Sequence, residues 1–191
     1  MIRARLLCFI CLCVATISLS AGQPSKSRSK VGKGSKDNLK KEIERLWRDV
    51  NSLKEMQALQ TVCLRGIKVH KKCFLGSSGE KNYHMANEDC IAQGGTLAIP
   101  RDSDETTQLR SYAKKSLRGA TGFWIGVNDM TTEGRFVDVN GQSVSYLNWG
   151  PGEPRGGKRE NCALASISSQ GKWSAEVCRD VKRYICEFLI P

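Results

Sequence analysis

Nine cysteines in a chain of 191 residues constrain this sequence more than any other feature, and they fall into two groups. Cys8, Cys11 and Cys13 lie in an N-terminal segment that opens Met1-Ile2-Arg3-Ala4-Arg5, continues as an apolar run from Leu6 to Ile17 and ends in the mostly small residues 18–22. A basic start, a short apolar run and a small-residue zone are the parts of a secretory signal peptide, and the run is too short to cross a bilayer. Residues 1–22 are therefore predicted to be removed, with the mature chain starting near Ala21 or Gln23 and soluble outside the cell. Cys63, Cys73, Cys90, Cys162, Cys178 and Cys186 remain. In an oxidising compartment six cysteines are expected to form three disulfides. A zinc site using Cys63, His70 and Cys73 is disfavoured, because the spacing lacks a close pair of the finger type.

Charge adds a second constraint. The formal net charge is +11, and loss of Arg3 and Arg5 with the leader leaves +9. Residues 23–38 carry Lys26, Arg28, Lys30, Lys33 and Lys36 against the single acid Asp37, so nearly half the surplus sits in one short stretch. This stretch is rich in Ser, Gly and Lys, which predicts a disordered tail. In a secreted chain such a tail meets heparan-type glycosaminoglycans or acidic proteins more readily than nucleic acid. A tail that is merely solvated is the plainer alternative.

At Leu39 the composition changes. Leu39, Ile43, Leu46, Val50 and Leu53 recur in alternating steps of four and three, the a and d positions of a heptad, so 39–62 is expected to be a coiled-coil helix. Gln57 and Gln60 continue the seam as polar layers. Asp49 and Lys54 stand at g and e positions where parallel chains pair. Taken alone, a short seam with Ile or Val at a and Leu at d leans toward two strands, and an amphipathic helix packed on its own domain is the competing reading.

From Cys63 to the end a mixed domain is expected. Residues 82–93 have helical spacing stopped by Gly94-Gly95. A second helix begins at Asp102, with Glu105 completing a capping box and Leu109, Tyr112, Ala113 and Leu117 on one face. Strands are expected at 123–127, 134–139, 144–149, 162–167 and 184–190, separated mostly by turn residues. Two helices followed by disulfide-stapled strands make an α+β domain. Catalysis is not expected: His70 and His84 are the only histidines, neither has an evident nucleophile beside it, and Asp102 and Asp104 are explained by capping.

The landmarks Trp124-Ile125-Gly126-Val127, Asn148-Trp149, Glu153-Pro154, Glu160-Asn161-Cys162, Lys172-Trp173 and Tyr184-Ile185-Cys186 occur in the order of a C-type lectin-like domain. The stretch from Cys63 to the C-terminus resembles that family in its long form. The helix running into Ala58-Leu59-Gln60-Thr61-Val62-Cys63-Leu64 resembles the tetranectin group. Within that group the basic tail and 66–73 are most similar to a cartilage-derived member. This resemblance implies a secreted, extracellular-matrix protein that forms a parallel homotrimer, in place of the two-stranded lean of the seam. It implies the pairings Cys63–Cys73, Cys90–Cys186 and Cys162–Cys178.

It also implies one Ca²⁺ site from Asp129, Glu133, Glu160, the Asn161 region and the carbonyl of Gly157. Three carboxylates with two further oxygens and water suffice for a hard cation. The plainer reading is that Asp129 and Glu133 cap a turn and that Glu160 pairs with Lys158 or Arg159. The family's second, sugar-binding calcium site is degraded. Its first triplet is Glu153-Pro154-Arg155 and its second is Trp173-Ser174-Ala175, so a cation, a hydroxyl and a methyl replace oxygen-rich ligands. Calcium-dependent carbohydrate binding is the runner-up function. The resemblance further implies a kringle-binding surface, such as that for plasminogen kringles, at Lys158 and Glu160. Ala175 stands there in place of an acid, and a solvated basic loop is the alternative for Lys158 and Arg159.

Overall fold

The computed structural model describes residues 33–190. The predicted leader and the part of the basic tail that holds Lys26, Arg28 and Lys30 lie outside the described residues. The first element is α1, Lys33–Arg65, which starts six residues before the apolar seam. Lys33 and Lys36, placed in a disordered tail by composition, belong to this helix: nothing between Lys33 and Asn38 breaks a helix except Gly34, and propagation costs less than nucleation. Residues up to Leu46 form one unit and those from Trp47 onward a second. The seam residues Leu39, Ile43, Leu46, Val50 and Leu53 are all solvent-exposed in the single chain. Only near its end does α1 find cover, where Leu59, Val62 and Cys63 pack on the domain.

The helix stops at Gly66, whose N–H donates to the Val62 carbonyl at 2.9 Å. A side chain on Gly66 would collide with the backbone carbonyl of Phe74, so only glycine lets the chain turn this tightly into β1, Ile67–Val69. β1 forms a hairpin with β2, Lys72–Gly76. Two helices follow: α2, Tyr83–Ala92, capped by Asn82, and α3, Ser103–Ser116, capped by Asp102. The short β3, Thr96–Leu97, lies between them. Then come β4 (Gly122–Asn128), β5 (Val137–Asp138), β6 (Cys162–Ser166), β7 (Trp173–Glu176) and β8 (Arg183–Leu189).

The strands form one sheet in the order β1-β2-β8-β4-β6-β7, with β3 beside β8 and β5 beside β4. Among the described strands only the β4–β8 pairing is parallel. Three expectations need correction. The 134–139 strand shrinks to Val137–Asp138, and 144–149 is not a strand: it contributes one isolated bridge, at Trp149. The hairpin β1–β2, with β3 and β7, was not anticipated. The capping box is half formed. The Asp102 side chain accepts from the Glu105 N–H at 2.8 Å, but the Glu105 carboxylate turns away to accept from the Arg101 N–H at 2.9 Å.

The reason for that turn is Lys72. Its ammonium is buried and donates to Glu105 Oε2 at 3.0 Å, Glu187 Oε2 at 3.3 Å and the Ile99 carbonyl at 3.0 Å. Burial pushes the Glu187 carboxyl above its ordinary range, against the pull of Lys72. This ionic centre ties β2, α3 and β8 together.

Two apolar clusters flank the sheet. One gathers Phe74, Ile99, Leu109, Leu117, Ile125, Ile185 and Trp173, and the other Tyr83, Leu97, Trp124, Tyr184 and Phe188. The six cysteines pair as Cys63–Cys73, Cys90–Cys186 and Cys162–Cys178, the pairings that the resemblance implied.

Candidate functional site

The long loop between β5 and β6 packs along β7, and the candidate residues of the head come from this loop, from the β4–β5 connection and from β7 itself. Two strand ends hold it. Trp149 meets Trp173 edge-on at 5.7 Å, and Trp173 N–H donates to the Asn148 carbonyl at 2.8 Å. Asn148 is held by Lys172 at 2.9 Å and itself donates to the Gly171 carbonyl at 2.9 Å. At the loop's far end Cys162–Cys178 clamps β6 to the segment after β7.

The implied calcium residues are brought together from three separate stretches. Asp129 follows β4 directly and is 3% exposed. Its N–H donates to the Asn161 carbonyl at 3.1 Å, which joins the end of β4 to the entry of β6. Its Oδ2 accepts from the Gly134 N–H at 2.8 Å, so the turn-capping reading is correct for that oxygen. Asp129 Oδ1 and Asn161 Oδ1, in contrast, are buried with no hydrogen-bond partner. Buried acceptors are rarely left unmatched, and two such oxygens on adjoining residues suit a hard cation.

Glu133 Oε1 lies 3.8 Å from where a side chain on Gly157 would begin, and the Glu160 carboxylate lies against Gly156. Among the described residues Glu160 makes no ion pair with Lys158 or Arg159. The oxygens present therefore fit a calcium ion in kind. They do not fully converge, since no group of three acidic, His or Cys side chains among the described residues is close enough to hold a metal. Asp129 and Asn161 are already joined through the backbone, and an ion held there would also draw on Glu133 and Glu160.

The degraded sugar site is closed by its own residues. The Glu153 side chain is 8% exposed, and its Oε1 takes the Arg155 Nε at 3.1 Å. Its Oε2 accepts from the Ala175 N–H at 3.0 Å and the Arg155 N–H at 3.3 Å. Every oxygen with which Glu153 would meet a metal is thus engaged. Ser174 Oγ is likewise turned to Glu176 Oε1 at 3.0 Å, and Ala175 supplies only backbone. Sequence reasoning placed Arg155 as a repelling charge but missed its bond to Glu153. The two-residue spacing was legible, while the loop conformation that lets the side chain fold back was not.

Lys158 and Arg159 sit on a single 3-10 turn, Gly157–Arg159, and both are exposed. Gly156 enters that turn with φ of 89°, a conformation that favours glycine. Trp173 Nε1 is also buried without an acceptor. Sequence reasoning used this tryptophan only as a landmark.

Comparison with known proteins identifies the fold's family. The profile of the lectin C-type domain matches residues 79–188. A tetranectin-like protein of Carcharhinus perezii is 72% identical over 88% of this chain and 99% of its own length. C-type lectin domain family 3 member A of Mus musculus is 60% identical over 94% of this chain and 96% of its own. Among solved structures, the cow C-type carbohydrate-recognition domain of CD23 superposes with a TM-score of 0.58 at 31% identity, over 66% of this chain and 95% of that one. The chain therefore belongs to the C-type lectin domain family, within the group of tetranectin and C-type lectin domain family 3 member A, and is a lectin-like binding protein rather than an enzyme.

Proposed function

We propose that this chain is a secreted extracellular-matrix binding protein that assembles as a parallel homotrimer, engages proteins through its heads and heparan-type glycosaminoglycans through its basic N-terminal stretch, and does not bind sugars through calcium. The observation that carries this reading is the capture of Glu153 by Arg155 at 3.1 Å and by the Ala175 N–H at 3.0 Å. A calcium ion that bridges a protein to vicinal sugar hydroxyls needs carboxylate oxygens free to coordinate it. At this position a guanidinium already holds the carboxylate, and Arg155, Ser174 and Ala175 bring no carboxylate of their own.

C-type lectin domains typically bind Ca²⁺, and in this chain Asp129, Asn161, Glu133, Glu160 and the Gly157 carbonyl are the groups that would hold it. An ion there would supply charge to gather the two glutamates and stiffen the loop. Support for self-association comes from the exposed seam on α1: five large apolar residues at heptad spacing are uncovered in one chain, and like helices bury such a seam against each other. Joining three heads multiplies weak contacts through effective concentration. Contact with a plasminogen kringle would use Lys158, whose side chain forms no ion pair among the described residues.

A glycan array read with calcium and with chelator tests the central part. The expected result is no chelator-sensitive signal for neutral sugars, and calcium-dependent mannose-type or galactose-type binding would establish the carbohydrate-lectin reading in its place. Sedimentation equilibrium is expected to give a trimer, and a monomer at micromolar concentration would contradict the coiled-coil reading. Deleting residues 23–38 is expected to remove most heparin binding. Kringle binding that survives Lys158→Ala would rule out the loop contact.

A further inference from the structure

We infer that the loop from Glu153 to Arg159 is a second polyanion site, located on the head, in which Arg155 reads a sulfate group of a sulfated glycan without calcium. This rests on the polyanion part of the proposed function but uses a different surface from the N-terminal stretch.

The starting point is the division of labour within the Arg155 guanidinium. It has five N–H donors and no acceptor. The Nε group faces inward to Glu153 at 3.1 Å, while the side chain as a whole is 75% exposed. The terminal nitrogens are therefore left toward solvent, in the planar fork that matches an oxyanion bidentately. Glu153 in turn is fixed to β7 through the Ala175 N–H. The ion pair restrains the side chain before a ligand docks, so less entropy is lost on docking. The same anchor makes the site independent of metal, because the cation is covalently part of the chain.

The surroundings favour an anion with repeated charge. Lys158 and Arg159 are exposed on the adjoining turn, and neither has an ion-pair partner among the described residues. Three cations within five residues suit a chain of sulfates better than one carboxylate. The two acids, Glu153 and Glu160, leave residues 153–160 with a net positive charge. Glu153 is buried beneath its own cation, and Glu160 lies against Gly156. On the neighbouring strand β7, Ser174 and Ala175 bring no charge, and the Glu176 carboxylate accepts from Ser174 Oγ at 3.0 Å.

The test is calorimetric titration of the full chain with heparin in chelator, using a background in which Lys26, Arg28, Lys30, Lys33 and Lys36 are changed to Gln. The background protein is expected to retain weaker, salt-sensitive binding. Arg155→Gln, and separately Lys158→Gln with Arg159→Gln, are each expected to weaken it by about three- to tenfold, the range for charge-assisted contacts at an exposed site. The second pair guards against loop disruption, because those side chains make no ion pair among the described residues, and Arg155→Lys should keep part of the affinity. If the background protein loses all heparin binding, or if neither loop variant changes it, the head site is overturned while the N-terminal reading stands. If neutralising the stretch has no effect but the loop variants do, the reverse holds. Tighter binding of an acidic peptide such as polyglutamate than of heparin would overturn the glycan as ligand.

Discussion

Replacing Lys72 by Met removes the one cation from a buried centre that contains two carboxylates. The Lys72, Glu105 and Glu187 side chains are 8%, 5% and 4% exposed at most, so water cannot take over what the ammonium does. Two ion-pair contacts and the bond to the Ile99 carbonyl disappear together. Removing one partner of a buried ionic group costs about 3–5 kcal/mol, a large share of the roughly 5–15 kcal/mol of a typical domain. The loss should also depend on pH. Glu187 already has a raised carboxyl pKa, with burial as the largest cause and Lys72 opposing it. Without Lys72 it rises further. A group whose folded pKa lies above its unfolded value contributes stability that is complete below the unfolded pKa, about 4.3 for Glu, and is lost as pH rises through the folded pKa. The deficit of Lys72→Met should therefore be largest at pH 7 and shrink toward pH 5. Adding Glu187→Gln should recover part of it at pH 7. Guanidinium unfolding with the disulfides intact measures all three proteins. A deficit under about 1 kcal/mol, or one that is the same at both pH values, would refute the reasoning.

Other outcomes follow from single contacts. Gly126→Ala should destabilise by about 1–3 kcal/mol in thermal unfolding, because its methyl would stand 2.8 Å from the Leu97 carbonyl and 2.9 Å from Ile99 Cγ1. Asp89→Asn should remove an acid-sensitive component of stability. The Lys81 hydrogen bond, then that of Tyr184, holds the Asp89 carboxyl below its ordinary pKa, so its contribution is present at neutral pH and is lost as pH falls through the folded value. Changing Cys63 and Cys73 to Ala opens a bridge with a sequence separation of 10. It should cost about 2–3 kcal/mol and raise hydrogen exchange in 59–65.

What the sequence made legible follows from how local each signal is. Asn82 and Asp102 each sit one residue before a helix begins, and both cap it. Phe123 to Val127 and Tyr184 to Ile190 are apolar runs long enough to be recognised as strands, and they form the centre of the sheet. β2 escaped because Lys72 reads as a surface residue, when it is a buried cation whose partners lie 33 and 115 residues away. β3 and β5 have two residues each, below the length at which alternation can show. Conversely, 144–149 has strand-like composition, but Tyr146 and Trp149 pack against Trp173 as loop side chains. The same limit applies to the site. Residue types at 153, 155, 174 and 175 told which ligands were missing, while the bond that occupies Glu153 depends on a loop conformation that no local pattern encodes.

Calcium titration of the full chain by calorimetry tests most directly whether the Glu153 position has left calcium chemistry. One ion per chain is expected, abolished by Asp129→Ala, which removes the buried unpaired oxygen, and unaffected by Glu153→Gln. Two ions per chain, or a binding heat that vanishes with Glu153→Gln, would contradict it.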